Sequence, residues 1–129
     1  MTEEVVETNG NLLKAAKYAT YAMLALVLGQ SMTGVGNFTT ELELASSHKY
    51  SAYLGLGLSI ITVAAIMMSK TDDSKLKGFG FEAATMWIIM FGLGDMSAGG
   101  MHHLSMLHAP IGVLMFMRLW MMTKAFPSE

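Results

Sequence analysis

The 129-residue chain is 53% hydrophobic and only 14% charged, with 14 methionines, 13 glycines and no cysteine. A water-soluble domain carries about 25% charged residues, so this deficit argues against a soluble enzyme. A formal net charge of −2 gives no basic surface for nucleic acid, and the lack of cysteine excludes disulfides, thiolate metal sites, iron–sulfur clusters and a thiol nucleophile.

A spanning helix needs about 20 apolar residues to cross a hydrocarbon core about 30 Å thick, and four stretches supply them. The opening MTEEVVETNG is acidic and lacks the basic segment of a secretory leader, so the first apolar stretch is expected to stay attached. No charge falls between Lys17 and Glu41, which predicts a helix over 15–37. None falls between Lys49 and Lys70, which predicts a second over 42–69. Thr40 and Glu43 stand at capping-box spacing and favour a start by Glu41, so that His48 lies about two turns in. The polar SKTDDSKLKGFG reads as the connecting loop. The apolar run after Glu82, with Asp95 as its one interruption, predicts a third helix over 80–99 that ends at Gly99-Gly100. A fourth over 103–124 carries only Arg118, read as snorkelling toward its far end. The expectation is one transmembrane domain over 1–129, an all-α, up-down four-helix bundle.

Lys14, Lys17, Lys70, Lys75, Lys77 and Lys124 fall on one side of this arrangement and only Lys49 on the other. Basic residues in short loops stay cytoplasmic, so both termini are expected inside. Trp87, Trp120, Tyr18, Tyr21 and Tyr50 read as interfacial anchors. Leu28-Gly29-Gln30-x-x-x-Gly34 matches Leu93-Gly94-Asp95-x-x-x-Gly99. Each is followed by a histidine with a small residue four positions on, His48 with Ala52 and His108 with Gly112. The pattern reads either as a two-helix duplication or as ordinary small-residue packing.

Polar groups within a bilayer are costly and tend to mark function. At 1.5 Å per residue, Gln30, Asp95 and His108 lie roughly 7–9 Å inward of the outer helix ends. With His48, His102 and His103 they gather every histidine of the chain in the outer half. Imidazoles from helices 2 and 4, diagonal in such a bundle, can approach one cavity from two sides and supply axial nitrogens to a haem iron. Ala52, Gly112, Gly29, Gly55, Gly57 and Gly94 would leave room for the macrocycle. Met32, Met96, Met106, Phe38 and Phe91 would line it, with Gln30 and Asp95 bonded to a second imidazole nitrogen or a water. The alternative is that each histidine donates to a backbone carbonyl of a neighbouring helix.

The order Gln30-Ser-Met-Thr-Gly34-Val-Gly36-Asn-Phe38, His48, then Leu107-His108-Ala-Pro-Ile-Gly112 resembles one four-helix half of the haem A synthase family. It also looks like small uncharacterised four-helix haem-type membrane proteins. The resemblance covers about residues 20–120. It implies ligation of at most one haem, by His48 and His108. The function expected is a b-type haem-binding electron-transfer or haem-handling subunit rather than an enzyme on its own.

Two further readings stand beside it. Imidazole and thioether at His102, His103 and Met106 suit copper near the outer interface. Alternatively the chain is a cofactor-free accessory subunit, its Met-rich faces packed on other membrane subunits or on copies of itself. No phosphate-binding glycine loop, His-Glu-x-x-His or Gly-x-Ser-x-Gly is present, which leaves nucleotide hydrolysis, zinc proteolysis and serine hydrolysis without their parts.

Overall fold

A computed structural model describes residues 5–39 and 43–128, the side chains of 37–39 excepted. Among these residues all regular structure is helical: α1 (Gly10–Thr39), α2 (Ala45–Met68), α3 (Ser74–Ala98), a 3-10 turn (His102–Leu104) and α4 (Ser105–Thr123). All four α-helices are long and apolar enough to cross a membrane, as the charge gaps predict. Each packs antiparallel on its chain neighbour and α1 also packs on α4, closing a ring in which α2 and α4 are diagonal. The chain ends and the 69–73 connection thus share one end of the bundle, here the terminal end. The 99–104 connection and the start of α2 mark the distal end.

The close-packed core occupies the terminal half. It is built from Leu13, Ala16, Met23, Leu24 and Val27 of α1, Ala65 and Ile66 of α2, Leu76 to Met90 of α3, and Met115, Leu119 and Met122 of α4. Thr20, Ser59, Thr62 and Ser69 are fully buried there. Each donates its hydroxyl to a carbonyl three or four residues back, so none of these hydroxyls is left bare. Their small size lets α1 and α2 approach closely. Beyond Val27, Met90, Met115 and Gly55 toward the distal end, none of the described residues is fully buried.

The element ends differ from expectation for local reasons. Asn9 Oδ1 accepts from the Asn11 and Leu12 N–H groups at 3.1 and 3.2 Å, so α1 starts at Gly10 rather than 15. Asp73 Oδ1 accepts from the Leu76 N–H at 3.0 Å and Leu76 is fully buried, so KLKGFG belongs to α3 and the loop shrinks to 69–73. Within that loop Lys70 takes a positive φ of 58°. Helix α2 begins at Ala45, not 42; its N-cap, Leu44, has no side-chain bond, and Thr40 and Glu41 lie outside the described residues.

Two side chains also depart from expectation. Trp87 is 2% exposed. It is a core residue rather than an interfacial anchor, because its indole lies over Gly55, where a Cβ would fall 2.2 Å from the ring. Tyr18, Tyr21, Tyr50 and Trp120 are exposed, as anchors must be. Arg118, read as snorkelling toward the far end of its helix, has a partner on α3. It forms a two-pronged ion pair with Glu82 of α3 at 2.6 and 2.7 Å, with its guanidinium carbon 4.9 Å from the Phe79 ring centroid.

Candidate functional site: a paired imidazole centre

The antiparallel register sets which residues meet at the distal end. Near the end of α1, Gln30 faces the first turn of α2, where the His48 N–H makes the 2.9 Å bond to the Leu44 carbonyl. His48 is therefore at the helix start rather than two turns in, because the helix begins later than the Thr40 spacing suggested. Gln30 Nε2 donates to the His48 carbonyl at 2.7 Å and to Ser51 Oγ at 2.6 Å, pinning this turn to α1. The ring itself is tied as well: His48 Nδ1 stands 3.1 Å from the Gln30 carbonyl oxygen and 3.1 Å from Thr33 Oγ1.

A carbonyl only accepts, so the Nδ1 atom of His48 carries the proton. The Thr33 hydroxyl donates to the Gly29 carbonyl at 3.0 Å, leaving its oxygen to accept. A neutral imidazole protonated on Nδ1 has its lone pair on Nε2. Metal-binding histidines are held in this way, one nitrogen on a carbonyl and the other free to ligate. The carbonyl-bonding alternative thus describes one edge of His48 and leaves the other available.

Across the diagonal, His108 of α4 brings its ring centroid to 6.1 Å from that of His48, with 51° between the planes. Two metal–nitrogen bonds of about 2.0 Å, plus about 1.1 Å from each nitrogen to its ring centre, would set the centroids of two imidazoles sharing one metal at most about 6.2 Å apart. Neither ring nitrogen of His108 has a hydrogen-bond partner among the described residues, and Nδ1 is buried. A buried nitrogen without a partner calls for a group to satisfy it. The two imidazoles thus stand where they could together hold one metal ion.

Each ring rests against a glycine of the preceding helix. A Cβ on Gly34 would lie 3.2 Å from His48 Cε1, and one on Gly94 would lie 3.5 Å from His108 Cε1. Gly34 and His48 are fourteen positions apart, as are Gly94 and His108. The structural correspondence between the two helix pairs is therefore Gly34 with Gly94, not the Gly29 with Gly94 suggested by the Leu-Gly match. The sequence reading named Gly94 as leaving room at the site and Gly34 as part of the repeat, but not their contacts with the rings, nor Thr33 and Ser51; the repeated Gly-to-His spacing was the available signal.

Other candidates are placed differently. Asp95 is exposed on α3, next in sequence to the seat glycine Gly94. Ala52 and Gly112 are half-buried, and a Cβ on Gly112 would lie 3.3 Å from the Met90 methyl. Met32, Met96 and Met106 are 75%, 45% and 78% exposed and do not lie between the rings. Phe91 packs on Tyr53, centroids 4.9 Å apart, and the Phe38 side chain lies outside the described residues. Gly55 is filled by Trp87 and Gly94 by His108, while Gly29 and Gly57 face open space. His102 and His103 are exposed on the 3-10 turn beside Met106. Among the described residues no three His, Cys, Asp or Glu side chains are grouped to hold a metal.

These features define the class: a multi-pass, all-α membrane bundle of four helices with two imidazoles meeting across its diagonal. No protein-family model matches the chain, and comparison with curated proteins and with solved structures found no match.

Proposed function

We propose that this chain is a small integral membrane protein that holds one b-type haem between His48 and His108. In this reading it serves in electron transfer or as a haem-handling subunit of a membrane complex, with both termini on the cytoplasmic side. The observation that carries the reading is the 6.1 Å approach of two imidazoles from diagonal helices, one of them fixed with its Nε2 lone pair available. The resemblance of the Gln30–Gly34, His48 and Leu107–Gly112 segments to the haem A synthase half points the same way.

When bound, the haem supplies a reversible one-electron couple at its iron. The residues of the chain do the rest. His48 is oriented by the Gln30 carbonyl and Thr33, a bond that also raises the basicity of the ligating nitrogen. Gly34 and Gly94 let each ring sit hard against the preceding helix. The distal half, with no fully buried side chain of its own, is where a flat macrocycle can be accommodated without dismantling the core.

The test is the absorption spectrum of protein purified in detergent from haem-replete cells. The proposal expects a Soret band and a sharp reduced α-band, with that low-spin signature lost in both His48→Ala and His108→Ala. A colourless wild-type preparation overturns it and leaves the cofactor-free accessory subunit.

A further inference from the structure

The two histidines are alike in position and unlike in support. His48 is held at its ring by Gln30 and Thr33, at its carbonyl by Gln30 Nε2, and at Cε1 by Gly34. His108 has only the Gly94 seat and the packing of its neighbour; neither of its nitrogens is bonded among the described residues. The Gly-to-His spacing aligns Thr33 with Leu93 and Gln30 with Met90, so the second half carries apolar side chains where the first carries the groups around His48.

The backbone repeats the contrast. His108 lies between the 3-10 turn at His102–Leu104 and Pro110, which sits inside α4. Proline has no N–H, so the Met106 carbonyl loses the helical bond it would receive from position 110, and the turn bearing His108 is less firmly joined to the rest of α4. The corresponding turn of α2 has Tyr50 where α4 has Pro110, and it is bonded to α1 through Gln30.

We infer that His48 is the permanent ligand of this centre and His108 the exchangeable one, yielding its position to a small neutral donor such as carbon monoxide. This rests on the haem reading above. The exchange is a ligand substitution: one dative nitrogen bond is released, one from the incoming donor takes its place, and no electron or proton is consumed.

The experiment has two arms, one without haem and one with it, so that failure of the inference is distinguishable from absence of haem. In the first, nitrogen-15 NMR of histidine-labelled protein without haem, in bicelles, reads the tautomers directly. With four histidines in the chain, single substitutions assign the signals. His48 is expected as one fixed tautomer protonated on Nδ1, and Thr33→Val should leave that tautomer in place through the Gln30 carbonyl. His108 is expected to interchange between tautomers. Equal locking of both rings on Nδ1, or interchange at His48, overturns the inference whether or not haem is ever bound.

In the second arm, carbon monoxide is added to the reduced, haem-loaded protein. The inference expects a carbon monoxide spectrum that His108→Ala reaches at no less than wild-type affinity, while His48→Ala retains at least tenfold less haem. Equal haem loss in the two variants overturns it, as does refusal of carbon monoxide by both wild type and His108→Ala.

Discussion

At the scale of single residues, the helical glycines separate into those that admit a neighbour and those that face open space, and only the first kind resist substitution. A Cβ on Gly55 would fall 2.2 to 2.6 Å from three atoms of the Trp87 ring, and that ring is buried in the core and cannot swing aside. Gly55→Ala is therefore expected to cost about 1–3 kcal/mol of stability by overpacking. Thermal unfolding in detergent checks this, and the loss should shrink in a Trp87→Leu background, because the two changes share one contact. Gly57→Ala, with nothing within 4 Å, should be close to neutral. The sequence could not separate Gly55 from Gly57, since composition and spacing do not say which glycine faces an indole. The same limit hid Gly34 and Gly94 as seats. His48 and His108 were legible because an imidazole inside a span is costly and so conspicuous.

At the scale of helices, α3 and α4 are clamped by Glu82 and Arg118, two charges that lie within the spans and are each about a third exposed. Removing one partner leaves the other uncompensated in a medium where an unpaired charge is expensive. Arg118→Leu is expected to lower stability, because it leaves the Glu82 carboxylate without its partner. The double variant Glu82→Gln/Arg118→Leu should recover much of that loss, as chemical or thermal unfolding in detergent would show; a double variant worse than the single one would contradict the clamp. Glu82 was read as the edge of a span because the third helix was expected to begin at 80. The early start of α3 turns on Asp73 accepting from the Leu76 N–H and on the burial of Leu76. A run of lysines masked that cap, since charge patterning marks a polar face as readily as a loop. The start of α2 was misjudged for the opposite reason, a capping spacing given more weight than the helix needed.

At the scale of the molecule, the four spans, their all-helical character and the meeting of α2 with α4 follow from where charges are absent and where polar groups remain. What the chain alone could not show is the division of the bundle into a filled terminal half and a distal half without fully buried side chains. That contrast depends on which faces turn inward, and in helices apolar on every side periodicity carries little of that information. The proposed centre lies in the less filled half, between one imidazole fixed by backbone bonds and one left unbonded among the described residues. Low-temperature electron paramagnetic resonance of the oxidised protein, purified from haem-replete cells, addresses that claim most directly. A haem held by His48 and His108 should give a low-spin ferric signal typical of two imidazole ligands, converted to high spin in His108→Ala and diminished with the haem itself in His48→Ala. Wild-type protein without a haem signal, or a low-spin signal unchanged in both variants, would contradict it.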